Sequence, residues 1–185
     1  GADGVGGSGI LPRTFLLGNA PELYETVVMT ADVQTEANLA GVHWRGLSYN
    51  VYTGRGWALA EERTEPVAAN VSIALPPVEA TGTVSQTVHW LLDNRLTRYT
   101  LGLPQQFDQP VRAVWRGQTD LVRIYGDSLN YTAFTQVSQA TPEMLRETAV
   151  SNISPTILAR YTALPETVPQ RVHTMWSWCF RPTMC

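Results

Sequence analysis

The chain has 185 residues, an apolar share of 44%, 13 basic and 16 acidic residues, and a formal charge of -3. That apolar share is enough for the core of one ordinary domain and excludes a wholly disordered chain. The charge balance excludes a phosphate-neutralising basic stripe, and with it a nucleic-acid binder.

Every basic residue is arginine, so no side-chain amine is present to serve as an acyl acceptor. The two cysteines, Cys179 and Cys185, both fall in the last seven residues, and the first 178 residues therefore hold neither a disulfide nor a thiolate metal site. No run approaches the 18 or so apolar residues that a membrane span needs. With no initiator Met and no charged-then-apolar leader, the chain reads as an excerpt of a longer protein or as a processed product.

Residues 1–20 are expected to be a flexible lead-in and docking segment, because five of the first nine residues are glycine. From Glu25 onward, short β-favouring runs alternate with turn residues. Glu25–Gln34 places Val27, Met29, Ala31 and Val33 on one face of a strand. Val42–Tyr52 reads as a strand with Trp44, Gly46, Ser48, Asn50 and Tyr52 on one face. It runs into Gly54-Arg55-Gly56, whose glycines permit the positive φ of a tight turn or bulge. Glu61-Glu62 lies in a polar stretch where solvated charges are expected. Asn70–Leu75 is a short strand stopped by Pro76-Pro77.

Thr83–Leu92 and Arg95–Leu101 flank Asp93-Asn94 as a hairpin would. Val111–Trp115 and Leu121–Tyr125 flank a second turn, and Tyr131–Ser138 alternates again. Strands at this spacing predict an all-β chain: an antiparallel β-sandwich, or a barrel-like sheet, over residues 21–140. Thr141-Pro142-Glu143 is a helix start, with a hydroxyl N-cap and proline at the first helical position. Ser154-Pro155 repeats the signal ahead of Thr156–Ala163, and the prolines of Leu164–Pro169 stop any helix. Residues 141–172 therefore read as a helical, proline-rich connecting arm.

Four segments carry a resemblance: Leu11–Gly18, Pro21-Glu22-Leu23, Trp44-Arg45-Gly46 through Trp57, and Tyr161-Thr162-Ala163-Leu164-Pro165. Together they resemble the extracytoplasmic region that precedes the catalytic core in bacterial, membrane-attached transglutaminase-like proteins. The resemblance implies a non-catalytic accessory domain that spaces the core from the membrane or presents substrate. It also implies partners: a downstream Cys-dependent core in the parent protein, and a cell-envelope protein or glycan. Asn50 stands where the family pattern has aspartate. Trp44, Arg45, Tyr52, Arg55 and Trp57 are the candidate binding residues, either as a substrate platform or as an aromatic-packed hairpin.

Residues 173–185 depart from the amphipathic helix that the resemblance implies. Two Trp, two Met and both Cys crowd into thirteen residues with one charged side chain, a pattern that points to out-of-frame translation. A catalytic Cys179 would need a base within reach and donors for the oxyanion. His43, His89 and His173 all precede it and no acid follows it, the reverse of the Cys–His–Asp order of such cores. The pair Cys179 and Cys185 is open to a small disulfide if exported. Asp120 and Asp127 lack the oxygen-ligand spacing of a calcium loop. No nucleotide, nucleophile-elbow or cofactor motif occurs, so no cofactor or metal is expected. The alternative to the accessory domain is a stand-alone β-sandwich that binds glycan or protein through Trp44, Trp57, Trp90 or Trp115.

Overall fold

A computed structural model describes residues 14–16, 25–60, 62–92, 97–148 and 155–179, the first and last few (14–16 and 176–179) by backbone alone. The glycine-rich opening, Pro21-Glu22-Leu23, Glu61, the Asp93-Asn94 turn and Cys185 lie outside these residues, as does the Cys179 side chain. The described chain is mostly antiparallel β-sheet with three short helices, in two compact units. One unit holds residues 25–48 and 62–148, and the other holds 14–16, 49–60 and 155–179.

The first unit is a sandwich. Strands β2 (Met29–Gln34), β7 (Thr81–Trp90), β12 (Asn130–Ser138) and β9 (Leu103–Phe107) form one antiparallel sheet in the spatial order β2-β7-β12-β9. Strands β11 (Asp120–Tyr125), β10 (Val111–Arg116) and β6 (Arg63–Val67) form the other. The period-two pattern of β7 and β12 explains the layering. Val84, Val88, Trp90, Tyr131, Ala133 and Val137 are all buried, and their sequence neighbours face out. Val88, Trp90, Tyr131 and Ala133 meet Val111, Ala113, Trp115, Leu121 and Ile124 of the second sheet in one core, with Phe107 and Ile73 closing it, while Val84 and Val137 pack with Leu101 in a second cluster. The sheets do not close into a barrel.

The alternation was legible where both neighbours of a strand impose it, and misleading elsewhere. The hairpin of β10 and β11 and the strand β12 form as the sequence predicts. The turn expected at Asp93-Asn94 lies outside the described residues, and the described strands on its two sides do not pair with each other. β7 is flanked instead by β2 and β12, and β8 (Thr100–Leu101) pairs with β3 (Trp44–Arg45). Here a side chain replaces a ladder: the buried Gln86 amide donates to the Tyr99 carbonyl at 3.2 Å and accepts from the Leu101 amide at 2.8 Å.

The strand expected over Val42–Tyr52 breaks into β3 and β4 (Val51–Tyr52), with irregular chain between them. The Ser48 amide turns instead to the Val122 carbonyl, at 3.1 Å. Asn70–Leu75 forms no strand, because Asn70 adopts a left-handed φ of 60°. The Asn70 and Ile73 amides nonetheless reach β9, at the Phe107 and Gln105 carbonyls. Strands β6 and β9 escaped the sequence reading because Pro66, Pro104 and their polar neighbours mask them. An edge position tolerates both prolines. Of the face expected on Glu25–Gln34, only Met29 and Ala31 of β2 pack on the core, and Val27, ahead of β2, and Val33 are exposed.

Two helices begin where their signals lie, and a third has no start signal in the sequence reading. Thr141 Oγ1 accepts the Met144 amide at 3.3 Å and caps α1 (Pro142–Glu147). In the second unit α2 (Pro155–Thr162) ends before Leu164–Pro169, and α3 (Gln170–Cys179) follows. Strands β1 (Thr14–Leu16), β5 (Gly56–Ala58) and β4 form that unit's three-stranded sheet, in the order β1-β5-β4. No helix among the described residues is long and apolar enough to cross a membrane.

Candidate functional site

The Gly54-Arg55-Gly56 turn is a hairpin loop, and of its two glycines only Gly54 takes a positive φ. The Thr53 amide donates to the Gly56 carbonyl at 2.9 Å, and Gly54 takes a φ of +82°. A Cβ on Gly54 would meet Thr167 Oγ1 at 2.7 Å, so the turn also lies close against the Leu-Pro arm. The loop pairs Tyr52 with Trp57 across the strands. Their rings meet in a tilted contact, 5.2 Å between centroids and 51° between planes. Arg55 stands exposed at the tip.

Asn50 closes the open end of this hairpin. It is buried, its amide donates to the Ala58 carbonyl at 3.3 Å, and its Oδ1 accepts the Ala60 amide at 3.0 Å. A side-chain amide oxygen makes this bond without fixed charge, which accounts for a buried asparagine at this position.

Tyr52, Trp57 and Asn50 face Tyr161, Thr162, Ala163 and Leu164 across a groove of about 260 Å³. Two segments singled out separately in the sequence thus build one site in the second unit. Trp57 and Tyr161 keep 38% and 41% of their surface exposed, so ring area stays open to solvent. The Thr162 hydroxyl donates to the Leu158 carbonyl at 2.6 Å and is committed to its helix. Aromatic surface and neutral amide groups suit such a lining to binding an uncharged or apolar segment. Among the described residues it supplies no carboxylate, imidazole or thiol for proton or acyl transfer.

The remaining predicted site residues lie in the sandwich unit. Trp44 pairs with Leu101 and is 37% exposed, and the Arg45 guanidinium donates to the Leu121 carbonyl. Trp90 and Trp115, offered as exposed binding residues, are core residues at 8% and 4% exposure. Alternation places both on the inner faces of their sheets.

The expected solvated charge of Glu62 is corrected too: its carboxylate is buried against Arg123 at 2.9 Å. Asp120 and Asp127 pair with Arg116 and Arg112, at 3.1 and 3.2 Å. His89 lies near Asp32 and Asn130, at 3.8 and 3.2 Å, while His43 is exposed and His173 sits on α3. Among the described residues no three His, Cys, Asp or Glu side chains gather to hold a metal ion.

The strongest electrostatic perturbation lies in the core. Burial pushes the Tyr131 phenol well above its ordinary range, against the pull of Arg98, whose guanidinium sits 4.7 Å over the ring. Burial also lowers Arg98, offset in part by Tyr131, Asp127 and Asp108. The Tyr131 hydroxyl donates to the Tyr99 carbonyl at 2.6 Å. This is a structural cluster, and nothing in the sequence pattern marked it.

No protein-family model matches the chain, and neither a curated protein nor a solved structure is similar to it.

Proposed function

We propose that this chain is a non-catalytic, extracytoplasmic accessory domain of a transglutaminase-like protein. In this reading it spaces or presents substrate to a Cys-dependent core elsewhere in the parent protein, which other parts of the parent attach to the membrane. The observation that carries the reading is the groove itself. The aromatic hairpin and the Tyr161–Leu164 arm, two of the segments behind the resemblance, meet there and line one neutral surface. The close approach of Gly54 to Thr167 supports a hairpin shaped to hold the arm. Reading the gene beyond codon 185 tests this. A Cys–His–Asp core in any downstream frame supports it, and the absence of such a core from every frame overturns it.

A second reading is favoured by one observation. Trp44 and Trp57 each keep more than a third of their surface exposed, as a stand-alone glycan- or protein-binding module would require. Loss of ligand binding in Trp57→Ala or Trp44→Ala, in a chain whose gene encodes no core, would favour the module.

A further inference from the structure

Charge is segregated between the two sheets of the sandwich. Strands β6, β10 and β11 carry Arg63, Glu65, Arg112, Arg116, Asp120 and Arg123. Strands β2, β7, β9 and β12 carry no arginine and no glutamate, and Asp32 is their one carboxylate.

The register fixes what the outer face of that second group presents. One row across all four strands is Gln34, Ser85, Phe134 and Gln106. The next is Asp32, Thr87 and Thr132, and beyond it lie Thr30, His89 and Asn130. Phe134 stands in this field of hydroxyls and amides with 41% of its surface exposed. Thr87 and Thr132 bond to each other at 3.1 Å. The side chains of Gln34, Ser85 and Gln106 make no hydrogen bond among the described residues.

We propose that this face binds a neutral oligosaccharide of hexopyranose units. An anionic ligand finds no arginine in these rows, and a cationic one finds only Asp32 and Asp108, exposed carboxylates at opposite edges of the sheet. Nucleic acid is disfavoured for the same reason. A neutral sugar chain needs what the face offers: an exposed ring to stack on the apolar side of a pyranose, flanked by amides and hydroxyls that both donate and accept. Four strands at roughly 4.8 Å spacing span about 14 Å, the reach of about three sugar units. The site is independent of the hairpin groove.

The test is titration of the full chain with cellotetraose and with chitotetraose, followed by backbone amide shifts and calorimetry. One of the two should bind, with an affinity that changes little between about 50 and 500 mM salt, since no ion pair contributes. Phe134→Ala should weaken binding about tenfold, the loss of one stacking contact. Gln106→Ala should weaken it less, and Leu145→Ala, on the exposed side of α1, should leave it unchanged. Phe134 is exposed, so its variant should keep the wild-type melting curve, and Ser85→Glu provides a second block of the same row.

Failure of both sugars to bind at about 10 mM overturns the proposal. So does binding that Phe134→Ala and Ser85→Glu leave intact, or binding lost only in Trp57→Ala, which would place it in the groove. A concentration-dependent dimer abolished by Phe134→Ala would make the face a contact between copies and would overturn it as well.

Discussion

The Glu62 carboxylate and the Arg123 guanidinium meet at 2.9 Å, with both side chains only 8% exposed. Arg123 also lies 4.7 Å over the Tyr125 ring. The neighbouring Arg116 pairs with Asp120 and donates to the Ser48 carbonyl at 2.9 Å. Ser48 and Glu62 are thus both tied to the β10–β11 hairpin by arginines.

Removing one member of the Glu62–Arg123 pair leaves a buried charge, which costs more than the pair contributes. Glu62→Ala should destabilise the chain by about 3–5 kcal/mol in urea titration. Replacing both partners by apolar residues, as in Glu62→Met with Arg123→Met, should recover much of that loss. Equal destabilisation in the single and double variants would contradict this account.

Alkaline titration should be sensitive to Tyr131. Its phenol is held protonated by burial, so the native chain keeps a proton that the unfolded chain releases above about pH 10. Stability is therefore complete below that pH and falls as pH rises beyond it. Tyr131→Phe should cost about 1 kcal/mol at pH 7 through the lost bond to the Tyr99 carbonyl. It should also show a shallower decline in urea midpoint from pH 9 to 11. Identical slopes in the two proteins would exclude Tyr131 as the source.

Two glycines are predicted to fail differently on substitution. Gly102 has a φ of +73°, and a Cβ there would collide with the Gln136 carbonyl oxygen, which belongs to a central strand and cannot move aside. Gly102→Ala should therefore lower stability by more than about 2 kcal/mol. At Gly54 the obstacle is the Thr167 hydroxyl, so Gly54→Ala in a Thr167→Ala background should recover the steric part. About 1–2 kcal/mol from the positive φ should remain. Thermal melts of the three variants separate these contributions.

The Tyr52–Trp57 contact should show as a coupling. A double-mutant cycle with Tyr52→Ala and Trp57→Ala is expected to give about 0.5–1.5 kcal/mol, read from amide exchange at Ala58. Zero coupling would mean that the rings only border the groove and do not brace it.

The sequence disclosed the elements with the strictest periodicity and the strongest end signals. β12 and the β10–β11 hairpin are set by local alternation, and α1 by the Thr141 cap and Pro142. Pairing was hidden wherever a side chain, and not a turn, decides it. Gln86 ties the chain at Tyr99–Leu101, and Asn50 closes the β4–β5 hairpin, yet neither amide differs in pattern from a surface residue. The aromatic hairpin was legible from Gly54 and Gly56. Its groove was not, because Tyr161–Leu164 lies about a hundred residues away. Glu62 was misread for a related reason: its partner Arg123 is distant in sequence, and polarity alone suggests solvent.

That separation has a consequence for synthesis. The β4–β5 hairpin emerges from the ribosome long before the arm it faces, and at roughly 5–20 residues per second the delay is about 5–20 s. A two-stranded hairpin is marginal alone, so Tyr52 and Trp57 spend that interval uncovered and open to chaperones or to a neighbouring nascent chain. The strands of the sandwich, complete at Ser138, need not wait for it.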